Sequence, residues 1–315
     1  MTNITSFIHG IYPRSENYVQ TSRDVDRKRK TKKELETQYK KDLKNLLALQ
    51  KQAGFAYIED GKLSWHDIFR PIVASTNGFE VGALTRWFDN NNFFRQPVIT
   101  GKLEVSTKKL AAFFPEITPV KKWKVTLPSP FTFAKLSADS HNKSFEETLE
   151  EITKLLATII TYLDKKGVQL IQLNETYLPY HGGTKKEKEL FVKALNKFSE
   201  AKKTTRLAVQ FYFGDAAAIL SDSTYPKIDI IGIDFYKTNL SALPKDMPYD
   251  IIAGIIEGRN SLLEQETVLK TFVEKIVKTL KPKNLYLSSN SDLELLPEPV
   301  AKKKIELLGK LQKNI

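Results

Sequence analysis

The chain has no cysteine among its 315 residues. That excludes disulfide bonds, thiolate metal sites, iron–sulfur clusters and a cysteine nucleophile. Histidine is scarce too. His9, His66, His141 and His181 are the whole set, and no two stand at the i, i+4 spacing of a helical zinc pair. No run of eighteen apolar residues occurs, which leaves no candidate membrane-spanning helix. The opening MTNITSFIHGIYPRS lacks a basic n-region and a long apolar h-region, so the expectation is a cytoplasmic protein without a secretory signal. No GxxxxGK[ST] occurs, no GxGxxG follows the first strand, and no GxSxG marks a serine nucleophile. No repeat of solenoid length is present.

Apolar residues make up 41% and aromatics 10%, enough for a substantial core in one large α/β barrel or two ordinary domains. The net charge is +12, and part of it is gathered in Arg27–Lys33, RKRKTKK. Such a run suits a solvated helix start, a polyanionic small molecule or nucleic acid. Lys121, Lys122 and Lys124 around Trp123 add a weak basic–aromatic signal. No nucleic-acid motif accompanies either run, so nucleic acid is an unlikely partner.

The stretch Gly167–Pro179, GVQLIQLNETYLP, organises the rest. A glycine that can stop a helix is followed by an apolar strand, Val168–Leu173, and the strand ends in Asn174 and Glu175. A buried strand ending in a polar pair fits the centre of a parallel sheet or barrel, where working residues sit at C-terminal strand ends. Other strands are expected at Ile4–His9, Phe55–Ile58, Lys122–Leu127, Leu207–Phe213, Asp229–Phe235, Ile251–Ile256 and Leu285–Ser288. Helices are expected at Thr31–Ala53, around Asp67–Ala74, after the Ser144/Glu147 capping box, and at Lys185–Ala201, Glu264–Leu280 and Val300–Leu311. Val98–Val105 reads as an accessory strand, and Ser64–Asn92 as mixed, with the aromatic-rich block Thr85–Phe94 at its end.

Eight strands mostly separated by helices predict an α/β protein, a (βα)₈ TIM barrel with an N-terminal extension, forming one domain over 1–315. Residues 1–54 supply the first strand, the basic loop and a long helix, and 55–315 the remainder of the barrel. A doubly wound open sheet is the alternative. The strand ends then give His9, Glu59, Asp60, Asn174, Glu175, Tyr212, Asp234, Glu257, Arg259, Asn260, Ser288, Ser289 and Asn290. Among them Glu175, Asp234 and Glu257 are candidates for acid–base work, or for binding Arg259 and backbone groups. These residues alone specify no reaction.

Six blocks in order carry a family resemblance. They are Gly10–Arg14 (GIYPR), Thr85–Asn91 (TRWFDNN), Leu127–Thr132 (LPSPFT), Gln172–Glu175 (QLNE), Ala253–Asn260 (AGIIEGRN) and Leu287–Ser291 (LSSNS). Together they resemble the N-terminal half of cobalamin-independent methionine synthase. The resemblance implies a barrel without zinc that helps to hold a methylated folate or pterin polyglutamate, while a second barrel carries zinc and homocysteine. It places Arg14, Arg86, Asn90, Asn174, Tyr212, Arg259, Asn260 and Ser289 as substrate-binding candidates and no residue as a metal ligand.

Two departures matter. Where the family's catalytic half has its zinc ligands, this chain has Gln210 with Tyr212, Asp234 and Ser291, so no sulfur-rich tetrahedral site can form. The family's Arg-Glu-Leu-Lys tail-binding motif is absent from 15–23, while Arg86 keeps the positive charge before Trp87. The implied assignment is a non-zinc subunit of a split methionine synthase, in methionine biosynthesis. Its partner is a separate zinc-bearing catalytic barrel, and its ligand an anionic methyl donor. The alternatives are an independent superfamily enzyme with another substrate, working through Glu175, Asp234 or Glu257, and a non-enzymatic anion-binding protein.

Overall fold

The computed structural model describes residues 2–114, 122–221, 226–245 and 247–315. Lys121 of the basic–aromatic stretch lies outside them. Among the described residues no helix is long and apolar enough to cross a membrane.

The chain begins with β1 (Asn3–Ser6), α1 (Glu16–Asp26) and α2 (Lys32–Ala53). It continues through α3 (Arg70–Ser75) into a hairpin of β2 (Thr76–Arg86) and β3 (Phe93–Val105), then α4 (Thr107–Ala111). The barrel resumes with β4 (Lys124–Pro128), α5 (Pro130–Leu136), the short β5 (Ala138–Asp139), α6 (Phe145–Lys165), β6 (Leu170–Glu175), α7 (Tyr177–His181) and α8 (Lys185–Ala201). It finishes with β7 (Arg206–Phe211), α9 (Ala217–Leu220), β8 (Ile230–Asp234), β9 (Asp250–Ile256), α10 (Glu266–Leu280), β10 (Asn284–Ser289) and α11 (Glu298–Asn314).

Seven strands pair in parallel in the order β1-β10-β9-β8-β7-β6-β4. The two edges are joined by residues 56–58. Ala56 N–H donates to Ser6 O, Ile58 N–H to Lys122 O, and Lys124 N–H to Ile58 O, each at 2.9 Å. With this eighth staves-like segment the sheet closes as the (βα)₈ barrel that the alternation predicts.

Local chemistry sets the helix starts. Thr31 with Glu34, Ser144 with Glu147 and Thr184 with Glu187 each form a reciprocal capping box at the heads of α2, α6 and α8. Gly54, at φ 77°, closes α2 in the left-handed region open to glycine. On α6, Leu149, Ile152, Leu156, Ile159 and Leu163 are buried against the barrel.

The hairpin is the part that the sequence pattern did not resolve. Val98–Val105 is the C-terminal portion of β3, which pairs antiparallel with β2; Thr85–Phe94 forms the hairpin turn and its flanks. β2 is interrupted by Gly78 and Gly82 and is mostly exposed, so it has no buried alternating face to betray it.

Candidate functional site at the barrel mouth

Side chains alternate between the two faces of a strand. That rule layers the barrel interior. Phe7, Tyr57, Leu170, Ala208, Ile230, Ile252 and Tyr286 form a separate apolar cluster that plugs its lower part. Two residues further along each strand come His9, Glu59, Gln172, Gln210, Gly232, Gly254 and Ser288. The lumen therefore turns polar towards the C-terminal ends. Gly232 is required there, because a Cβ would lie 1.9 Å from Gln210 Oε1.

The charged centre of the lumen is Glu59. Lys124 Nζ donates to Glu59 Oε2 at 2.5 Å and Lys62 Nζ to Glu59 Oε1 at 2.6 Å, with all three side chains at most 1% exposed. Thr126 N–H adds a bond to Glu59 Oε1 at 2.9 Å. Burial would raise the Glu59 carboxyl, but the two ammonium groups and their hydrogen bonds hold it below the ordinary carboxylate range. Burial pulls Lys124 down, and Glu59 only partly restores it. Lys124 Nζ and Gln172 Nε2 also reach the His9 carbonyl, at 2.9 and 2.8 Å. His9 itself is 1% exposed and packs edge-on to Tyr212, with ring centroids 5.0 Å apart. Desolvation, assisted by Lys124, lowers its pKa to about 3, so the imidazole is neutral at physiological pH.

The same alternation separates Asn174 from Glu175. Asn174 faces the lumen, where its Oδ1 accepts from Gln172 Nε2 at 2.8 Å. Glu175 points outwards. Its carboxylate accepts from Ser129 Oγ, Thr132 Oγ1 (2.9 Å) and Leu178 N–H (2.9 Å), tying β6 to α5 and α7. Burial raises its pKa against those donors. Asp234, at the end of β8, accepts from Asn290 Nδ2, Phe213 N–H and Tyr236 N–H at 3.0–3.1 Å, and burial raises it to about 6. Glu257 is half-buried and receives Asn290 Nδ2 at 3.4 Å.

The hairpin tip closes over this end. Arg259 Nη1 donates to Asp89 Oδ1 at 3.0 Å and Asn90 Oδ1 at 3.3 Å, and its guanidinium lies 4.8 Å over the Phe213 ring. Asn92 Nδ2 donates to Glu294 Oε1 at 2.6 Å. Phe88 packs on Tyr180 and Phe213. Burial raises Glu294, and the neighbouring Asp292 raises it further. Asp292 Oδ1 accepts from Ile11 N–H at 2.7 Å and Oδ2 from Tyr212 Oη at 3.4 Å.

Asn174, Tyr212, Asp234, Arg259 and Ser289 thus gather at one end of the barrel, with Asn90 brought to them by the hairpin. Ser289 is buried and donates to Ser291 O at 2.8 Å. Arg14 is half-buried in the loop after β1, close enough for its charge to act on Glu294, Tyr18 and His66. Arg86 is exposed at the end of β2, and Asn260 is exposed with its Oδ1 accepting Leu262 N–H at 3.0 Å. Sequence reasoning missed Lys124, Lys62, Asp292 and Glu294 as members of the mouth. For Lys124 a signal existed: a lysine two residues before Thr126 on a buried strand shares its face.

The positions where zinc ligands would stand do not fit a metal. Gln210 is an amide, Tyr212 is engaged with Asp292, and Asp234 is held by three donors. Among the described residues no group of three or more His, Asp or Glu is arranged to hold a metal ion.

A closed (βα)₈ barrel with a polar mouth, spanned by an accessory hairpin, defines the class. Residues 76–281 match the family described as "Cobalamin-independent synthase, N-terminal domain", and the chain belongs to that family. A 5-methyltetrahydropteroyltriglutamate–homocysteine methyltransferase of Listeria welshimeri is 29% identical over 256 residues, spanning 78% of this chain and 32% of that protein. The chain thus corresponds to about a third of the length of that relative. A methionine synthase of Sulfolobus acidocaldarius is 21% identical over 313 residues, covering 97% of this chain and 90% of its own length. In three dimensions the chain is similar to a B12-independent methionine synthase of a Shewanella species solved with selenomethionine. The TM-score is 0.76 at 18% identity, over 91% of this chain and 90% of that one, which shows a shared fold.

Proposed function

We propose that this chain is the non-zinc subunit of a split cobalamin-independent methionine synthase. It helps to bind an anionic methyl donor of the methyltetrahydrofolate or pterin polyglutamate type, for transfer to homocysteine on a separate zinc-bearing barrel. The observation that carries the reading is the match to the family's N-terminal domain by a barrel whose mouth lacks a metal-binding group among its described residues. Methyl transfer to a thiol needs the thiolate, and a free thiol near pKa 8.5 is mostly protonated at neutral pH. A barrel without a metal contributes by positioning the donor instead, which can be worth several kcal/mol.

The exposed surface is consistent with a docked mouth. Large apolar side chains are exposed on the hairpin at Leu84 and Phe93, on α7 at Tyr180, and on the loops after β8 and β9 at Tyr236, Leu262 and Leu263. Arg14, Arg86 and Arg259, the last already paired with Asp89, are the cationic candidates for an anionic donor. Asn90, Asn174, Tyr212, Asn260 and Ser289 are the other donor-facing candidates.

A second reading is an independent superfamily enzyme working on another substrate through Glu175, Asp234 or Glu257. The near-full-length match to the Sulfolobus acidocaldarius methionine synthase supports a chain that works alone, though not one with another substrate. The geometry favours it less, since the Glu175 and Asp234 carboxylates already serve several internal donors. A non-enzymatic anion-binding protein rests on the charge of +12 alone. Competition at physiological salt separates these readings. Methylpterin polyglutamates should displace duplex DNA from the chain, and DNA binding that survives them would favour the anion-binding protein.

A further inference from the structure

α1 and α2 form a helical hairpin outside the barrel. The C-terminal end of α2 lies at the bottom, where Gln312 Nε2 near the end of α11 donates to Ala53 O at 2.7 Å. Ser15 Oγ, at the head of α1, donates to Asp42 Oδ2 at 2.6 Å and ties the pair to the loop after β1. From Asp42 back to Lys32 is about 15 Å of further helix. This extension stays at the mouth end. Asp26, beside the basic run, lies close enough to act on His66 in the loop after residues 56–58. The next residue, Asp67, accepts from Arg95 N–H at 3.2 Å, two positions from the exposed Phe93 of β3.

The tip of this arm is the run Arg27–Lys33. Lys30 is held by Thr21 at 3.4 Å and Asp24 at 3.8 Å. Arg27, Lys28, Arg29, Lys32 and Lys33 are exposed, and among the described residues their side chains have no hydrogen-bond or ion-pair partner. Local folding does not ask for these cations. Lys32 and Lys33 open α2, where the helix dipole disfavours positive charge. Lys28 holds φ 58°, a conformation that favours glycine. Like charges so close together repel, and an external anion relieves all of this at once.

The same stretch narrows the anion. The amides of residues 28–30 donate to Val25 O and Asp24 O, and Thr31 N–H donates to Glu34, so the turn offers no amide cradle for a single phosphate. No aromatic stands between Tyr18 and Tyr39, which leaves nucleic-acid bases nothing to stack on. No large apolar side chain is exposed on the arm to enter a membrane. Beside the arm, however, the hairpin exposes Leu84 and Phe93. An apolar patch flanked by unpaired charge is the make-up of a protein interface.

We propose that the α1–α2 hairpin is a docking arm whose basic tip, residues 27–33, meets an acidic face of the protein that docks over the barrel mouth. The proposal rests on the subunit reading, which makes that protein the zinc-bearing barrel. Opposite charge at the rim of an interface acts chiefly by steering the encounter, so the arm sets the rate of association and its salt dependence.

The test measures association of the full chain with a zinc-bearing catalytic barrel over a range of salt. Arg29→Glu with Lys32→Glu reverses the tip. Lys275→Glu with Lys278→Glu, at exposed positions of α10, makes the same change in net charge elsewhere. The tip variant should keep its thermal stability, since an acid at the head of α2 suits the dipole. Its association at low salt should slow by about ten-fold or more, with a flatter salt dependence and little change in dissociation. The α10 variant should slow by less than about two-fold. A tip variant that associates like the wild type overturns the arm and leaves the subunit reading standing. Equal slowing of both variants overturns it too, since net charge alone then acts. Tip-dependent binding of duplex DNA at physiological salt, with unaltered association to the barrel, assigns the tip to nucleic acid instead. No complex between the wild-type chain and the barrel overturns the arm and the subunit reading together.

Discussion

Arg259 reaches from the loop after β9 to Asp89 at 3.0 Å, joining residues 170 positions apart and pinning the hairpin to the barrel mouth. The pair is partly exposed, with side chains at 22% and 53%, so its contribution to global stability is small, on the order of 0.5–1 kcal/mol. Its effect is local. Arg259→Ala should raise hydrogen exchange at the tip amides, Trp87 above all, whose N–H donates to Asn92 O at 2.8 Å. Exchange in the β6–β8 core should stay as it is. Unchanged protection at Trp87 would show that the tip is held by its aromatic contacts instead.

The Glu59 cluster behaves differently because it is fully buried. Lys124→Met removes one ammonium from a fully buried pair and leaves Glu59 short of a partner, a loss of about 3–5 kcal/mol. Adding Glu59→Gln should recover part of that loss, since the uncompensated charge is then gone. Chemical denaturation of the two variants measures both. A single variant with near-native stability would contradict the pairing.

His9 gives a pH dependence of definite sign. Its pKa falls from 6.5 in the unfolded chain to about 3 in the fold. The unfolded chain therefore binds the extra proton first, and the stability His9 contributes is present above pH 6.5 and lost as pH falls towards 3. The full loss is on the order of several kcal/mol. His9→Gln should flatten the acid limb of a stability–pH curve relative to the wild type. Superimposable curves would show a solvated His9.

Much of the barrel was legible because its signals are local. The Ser144/Glu147 capping box marked the start of α6, and buried strands read as apolar runs. The polar ends of those runs marked the mouth. Alternation alone would also have separated Asn174 from Glu175, since neighbours on a strand cannot share a face. What was hidden depends on distant partners. Lys124 reads as a surface lysine until Glu59 is placed across the lumen from it. Asn92 and Glu294 meet at 2.6 Å across 202 positions of sequence. The hairpin strand Thr76–Arg86 lacks a buried face, so its pairing with Phe93–Val105 leaves no periodic trace.

The subunit reading rests on one measurable requirement. Homocysteine methylation is assayed with a zinc-bearing catalytic barrel alone, with this chain alone, and with both, using a methylpterin polyglutamate as donor. This chain alone should be silent, and the mixture should exceed the zinc barrel alone. Arg86→Ala should raise the donor concentration that the mixture needs while leaving the fold intact. Methylation by this chain alone, or a mixture with no gain and no complex at micromolar concentration, would contradict the account.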